Sequence, residues 1–188
     1  MGLGKTLQTI SLIAHLKENH ANFNGPSLVI CPLSVLYSWC NEVKKHAPEL
    51  KHFRFHASDP KEREQQKQIM LHDLLQYDII ITTYEMAKNP NVVSLIRNTY
   101  FNLCVLDEGH VIKSMTSQIS ESVRKIHCQC RVILTGTPLQ NNLVSYCTQS
   151  SRLFFSCQAL LHLDGLPLLS SSLLTTGRAI CNSQLSLP

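Results

Sequence analysis

A chain of 188 residues, 44% hydrophobic and 16% charged, is long enough for one packed domain or one domain and a tail, too short for two, and composed like a soluble globular protein. A net charge of +4 and a pI near 8.6 permit contact with nucleic acid but fall short of the strongly basic footprint that would demand it. Eight cysteines without paired CxxC spacing argue against a secreted disulfide framework and, with one residue between Cys128 and Cys130, against a zinc knuckle; they read as reduced thiols of an intracellular protein.

The chain opens MGLGKT, and Lys5 to Lys17 then carries Leu7, Ile10, Ile13, Ala14 and Leu16 at helical spacing. SLVICP (27–32) reads as a strand, Ser34 to His46 as a helix and HFRFH (52–56) as a second strand. A helix is expected over Pro60 to Gln76, with the Asp59 side chain as N-cap and proline in the first helical position. DIIITT (78–83), NLCVLD (102–107) and RVILTG (131–136) are further strands, with shorter helices over Asn91 to Asn98 and Thr116 to His127. Three of these strands are almost continuously apolar, as buried parallel strands are, so the expected fold is α/β, a parallel sheet covered by helices.

Charge is unevenly spread: residues 1–144 hold 15 basic and 12 acidic side chains, residues 145–188 only Arg152, Asp164 and Arg178. The last stretch has 11 leucines and 9 serines without a helical or alternating period, so no fold is assigned to it. Its apolar run at 153–174 is broken by His162, Asp164, Gly165 and Pro167 before a clean membrane span is reached. The first residues carry no apolar leader segment, so a cytosolic or nuclear location is expected.

Three short motifs carry chemistry. A phosphate-binding loop needs glycines so that backbone N–H groups can face phosphate, a lysine to reach the β and γ phosphates, and a hydroxyl for magnesium. Gly4, Lys5 and Thr6, followed at once by an amphipathic helix, supply the second half of such a loop. The full GxxxxGK[ST] pattern would begin two positions ahead of Met1, so the loop reads as truncated; taken alone, GLGKT is equally an incidental glycine-rich stretch.

LDEGH (106–110) ends an apolar strand, where an aspartate can hold Mg²⁺ and the next carboxylate can orient or deprotonate an attacking water. An isolated Asp-Glu pair after a strand is usually a solvated turn; behind GKT and a parallel-type strand it fits NTP hydrolysis. ILTGTPLQN (133–141) offers the Thr135 and Thr137 hydroxyls and a flexible Gly136 at a third strand end, suited to sensing the γ-phosphate.

Together these stretches resemble the Swi/Snf-like chromatin-remodelling ATPases, DNA translocases of helicase superfamily two. MGLGKTLQTI is similar to the family's first motif, SLVICPLSVLYSW (27–39) to motif Ia, DIIITTYEM (78–86) to motif Ib, LDEGHVIKS (106–114) to motif II and ILTGTPLQNNL (133–143) to motif III. The resemblance implies a RecA-like P-loop NTPase lobe over residues 1–144, truncated at its N-terminus, with helices on both faces of the sheet and an irregular tail over 145–188. It implies that Gly2, Gly4, Lys5 and Thr6 bind ATP phosphates, that Thr6 and Asp107 hold Mg²⁺, and that Lys5, Asp107 and Glu108 are catalytic. His110, Thr135, Gly136 and Thr137 would couple nucleotide state to DNA, and Ser34, Thr82 and Thr83, near Trp39, would touch DNA phosphates.

The implied partners are duplex DNA or nucleosomes, met in the nucleus by a full two-lobed motor with ATP and Mg²⁺ and no membrane. Many relatives have alanine where Gly109 stands, a departure expected to matter little. After Asn142 and Leu143 the resemblance stops, and the second lobe with its arginine fingers has no counterpart in the sequence. The chain alone is therefore expected to bind ATP weakly and hydrolyse it poorly or not at all. Two alternatives stand beside this reading: a non-catalytic fragment that binds nucleotide or DNA, and the lobe of a DExH-type RNA helicase.

Overall fold

The computed structural model describes residues 4–19, 23, 25–109, 118–134 and 154–156. Helix α1 spans Lys5–Asn19, strand β1 Ser27–Cys31, α2 Leu33–His46, β2 His52–Phe55 and α3 Pro60–His72. After a 3-10 turn at Leu74–Gln76 come β3 (Ile79–Thr83), α4 (Tyr84–Lys88), α5 (Pro90–Asn98), β4 (Tyr100–Asp107), α6 (Gln118–Arg124), β5 (His127–Leu134) and β6 (Phe154–Ser156).

The strands lie in the order β2-β3-β1-β4-β5-β6, every neighbouring pair parallel. Continuous apolar sequence makes this possible, because a parallel strand covered on both faces must bury consecutive side chains. In β1 alternate residues serve opposite faces: Leu28 and Ile30 join a core with Ile80, Cys104 and Leu106, whereas Val29 and Cys31 join Ile79, Ile81, Leu103 and Val105. Met70, Tyr84, Val92, Ile96 and Val123, from α3 to α6, close the first face. Ile10 and Ile13 of α1 with Leu36, Trp39 and Val43 of α2 close the second.

Several boundaries differ from the sequence expectation. The helix expected to reach Gln76 stops at His72, because the chain turns at Asp73 to bury Leu74 and feed β3, leaving Leu75 exposed. Asp59 occupies the cap position before Pro60, but its side chain makes no capping hydrogen bond. The sixth helix ends at Arg124, and His127, expected as its last residue, begins β5 opposite Tyr100. Within 145–188, where no fold was expected, Phe154–Ser156 forms the sixth strand and pairs with Arg131–Ile133, covering backbone groups that would otherwise form an open sheet edge.

Candidate nucleotide site

The C-terminal ends of β1, β3 and β4 fall at one rim: Cys31 is in register with Thr83, and Asp107 is the last residue of β4, opposite Leu134 of β5. Open parallel sheets bind ligands at this rim, where strand ends release the chain into loops beside helix N-termini. Gly4 leads into α1 with φ +64°, a left-handed conformation that glycine adopts freely and a side chain strains. The first turn of α1 has no acidic residue but holds Lys5, a cation where the helix dipole is positive, so an anion is needed to complement the charge. Inside the helix, Thr9 is fully buried and donates its hydroxyl to the Lys5 carbonyl at 2.8 Å, tying down the turn that carries the lysine.

Lys5 Nζ lies 3.7 Å from Glu108 Oε1. Glu108 reaches it through a left-handed backbone at φ +52°, unusual for a residue with a side chain. Along a continued strand, Asp107 and Glu108 would point to opposite faces; the turn at Glu108 breaks that alternation. Its amide donates to Asp107 Oδ1 at 3.0 Å, which stabilises the turn.

Asp107 is only 8% exposed and is held at both ends. The indole Nε1 of Trp39, on α2, donates to Oδ2 at 2.8 Å, and the Tyr84 hydroxyl, at the start of α4, donates to the Asp107 carbonyl at 2.7 Å. Burial pushes the Asp107 carboxyl above its usual value, opposed by the Trp39 hydrogen bond, the Glu108 amide and the Lys5 charge. Beneath it, burial and then the Asp107 charge push the Cys31 thiol up to about 12, so Cys31 is a neutral packing residue that donates to the Thr82 carbonyl.

The raised Asp107 value has a consequence for stability. A carboxyl whose folded-state pKa exceeds its unfolded one supports the fold fully at pH below the unfolded value, about 4, and loses that contribution as pH rises through the folded value. Asp107→Asn removes the buried charge but leaves one acceptor oxygen where Trp39 and the Glu108 amide now use two. The melting temperature of the variant relative to wild type, both nucleotide-free and metal-free, should therefore be more favourable at neutral pH than at pH 4, as thermal melts across pH would show.

The remaining residues expected at the site divide into three groups. Gly2, His110, Thr135, Gly136 and Thr137 lie outside the described residues. Thr6 sits half-buried in the first turn of α1, and Ser34 is exposed in the first turn of α2, where no side chain caps the helix. Thr82 and Thr83 are buried: Thr82 donates to the Phe55 carbonyl at 2.8 Å, and Thr83 caps α4 by accepting from the Met86 amide at 3.3 Å.

Sequence reasoning placed Trp39 near DNA and missed its bond to Asp107, 68 residues away. Gly109 also packs closely: a Cβ there would lie 2.3 Å from Ile133 Cγ2, so a side chain at 109 forces the isoleucine or the backbone to shift. One lysine, one threonine hydroxyl, helix N-terminal amides and two adjacent carboxylates form a donor set whose chemistry fits a nucleoside triphosphate with a hard divalent cation.

Comparisons with known proteins place the chain in a family. The model of the SNF2-related domain matches residues 1–148. The ATP-dependent helicase FUN30 of Saccharomyces cerevisiae is 46% identical over 144 residues, which cover 76% of this chain and 12% of that protein. The human SWI/SNF-related matrix-associated actin-dependent regulator of chromatin subfamily A member 1 is 38% identical over 145 residues, 76% of this chain and 13% of that protein. The chain thus spans about an eighth of the length of these relatives. Among solved structures, the Sulfolobus solfataricus SWI2/SNF2 ATPase core in complex with dsDNA superposes with a TM-score of 0.64 at 38% identity, over 76% of this chain and 27% of that core. The parallel sheet with helices on both faces is the fold of that core, and the chain belongs to the SNF2-related domain family as a RecA-like lobe of its ATPase core.

Proposed function

We propose that this chain supplies the ATP-binding lobe of a DNA translocase that remodels chromatin in the nucleus, with hydrolysis of ATP driving movement along duplex DNA. The observation that carries the reading is the 3.7 Å approach of Lys5 to Glu108 beside Asp107, which gathers a phosphate-binding cation and two carboxylates at one strand-end rim. Backbone amides from Gly2, Gly4 and the first turn of α1 hold phosphate, and Lys5 reaches the terminal phosphates. Thr6 and Asp107 hold Mg²⁺, which when bound neutralises charge on the transferred phosphoryl group. Glu108 orients or deprotonates water. His110, Thr135, Gly136 and Thr137 carry the nucleotide state towards DNA.

Ser34, exposed at the uncapped start of α2, is suited to a DNA phosphate, a contact that reads no sequence. Thr82 and Thr83 contribute by shaping the neighbouring strand end. A relative named as a helicase, a relative named as a regulator of chromatin and a solved core bound to dsDNA support the assignment of substrate class.

The 188 residues cover 27% of the solved core, so the turnover assay belongs to a chain extended with a second ATPase lobe. Duplex DNA should stimulate its ATP hydrolysis more than single-stranded RNA does, and Lys5→Ala should remove the stimulation. Preferential stimulation by RNA would move the assignment to an RNA helicase. Stimulation that persists in Lys5→Ala would reject the site.

A further inference from the structure

Asp107 is gripped by side chains from two helices that cover opposite faces of the sheet. Trp39 lies on α2, about 9 Å along the axis from Leu33 at a rise of 1.5 Å per residue, and donates its indole N–H to the carboxylate. Tyr84 opens α4 directly after the Thr83 cap and donates its hydroxyl to the backbone carbonyl of the same residue. Both contacts are buried: Trp39 is 1% and Tyr84 5% exposed. One bond fixes the orientation of the carboxylate, the other the height of its backbone. Both helices begin at the rim where β1 and β3 end, beside Ser34 in one case and Thr83 in the other.

We propose that Trp39 and Tyr84 are positioning residues that clamp Asp107 for the metal and transmit displacement of α2 and α4 to its carboxylate. The inference rests on the nucleotide-site reading above and adds the route by which contact at the rim reaches the cation. A short helix is a stiff lever, and an indole N–H bonded to a buried carboxylate has no water to replace it. A shift of either helix therefore changes the direction in which Asp107 offers its remaining lone pairs. Outer-shell partners of this kind orient metal ligands, and their removal typically costs about 10- to 100-fold in metal affinity.

The chain has a single tryptophan, so Trp39 gives one indole N–H resonance in a ¹⁵N-labelled sample and is the sole indole emitter. On the 188-residue chain, Asp107→Asn should displace that resonance, and Tyr84→Phe, which leaves the indole untouched, should displace it as well by shifting Asp107. Mn²⁺–ATP titrated against the protein, with binding read as the enhancement of water-proton relaxation over a protein-free Mn²⁺–ATP blank, should bind wild type best. Trp39→Phe and Tyr84→Phe should each weaken it about 10- to 100-fold.

A merely structural role would lower the melting temperature of both variants while leaving Mn²⁺ affinity of the folded protein unchanged, and that result would overturn the clamp. So would an indole resonance indifferent to Asp107→Asn or to Tyr84→Phe in a chain that binds Mn²⁺ with ATP. A wild-type chain that binds no Mn²⁺ with ATP would overturn the nucleotide reading, and this inference with it.

Discussion

Glu108→Gln is expected to lower DNA-stimulated ATP turnover by about 10²–10⁴-fold, the usual contribution of a positioned general base, while nucleotide binding is retained. The substitution keeps the shape of the side chain and its left-handed backbone at φ +52°, so the loop that carries it stays in place. What it removes is the ability to accept a proton from water, together with the negative charge 3.7 Å from Lys5. Freed from that partner, Lys5 is more available to phosphate, so affinity should hold or rise. Steady-state hydrolysis in a two-lobed protein and titration with a fluorescent ATP analogue separate the two effects. Parallel loss of binding and turnover would make Glu108 a ligand-holding residue instead.

Gly109→Ala should destabilise the fold by about 1–3 kcal/mol, the cost of forcing a methyl group into a packed interior. The obstacle is Ile133 Cγ2, 2.3 Å from where the new Cβ would stand, and Ile133 is itself buried. A branch at Cβ cannot swing aside as the end of a long side chain can, because its rotamers are few. Either β4 and its loop retreat from β5 or the isoleucine leaves its well. Because Gly109 follows Asp107 and Glu108 directly, the first outcome also displaces the carboxylates. In an Ile133→Ala background the alanine at 109 should cost much less, giving a coupling of about 0.5–3 kcal/mol in a denaturant-melt double-mutant cycle. Additive losses would mean that the loop moves away without resistance.

The sheet was legible because its strands are apolar without interruption: Leu28 to Cys31 and Ile79 to Ile81 can be buried on both faces only in a parallel array. Lys5, Asp107 and Glu108 were legible for a related reason, since GKT and DE stand in fixed relation to a helix start and a strand end. The five residues of α4 escaped notice because they follow β3 without a break, and a helix of that length has no period to detect. The sequence reading ends the helix at His127 and starts the strand only at Arg131, because His127 and Gln129 are polar; they are the exposed residues of a strand whose start is half covered. Thr82 and Thr83 looked like phosphate contacts as residue types, but β3 lies between β2 and β1, and their hydroxyls meet the Phe55 carbonyl, the Met86 amide and the His56 ring. No local pattern announces a hydrogen bond between Trp39 and Asp107, which depends on how α2 lies across the sheet.

The position of β1 between β3 and β4 bears on how the protein is made. Ser27 pairs with Ile79 and Leu28 with Cys104, so no hydrogen-bonding partner for the central strand exists until tens of further residues have left the ribosome. Pairings this distant in sequence fold slowly, because loop closure must precede any reward from contact. Throughout that interval Leu28, Val29 and Ile30 form a naked β-prone segment, the kind of surface that chaperones cover and that aggregation exploits. A charged residue introduced at Val29 would thus act twice, once against the finished core and once, in the opposite sense, by protecting the nascent chain.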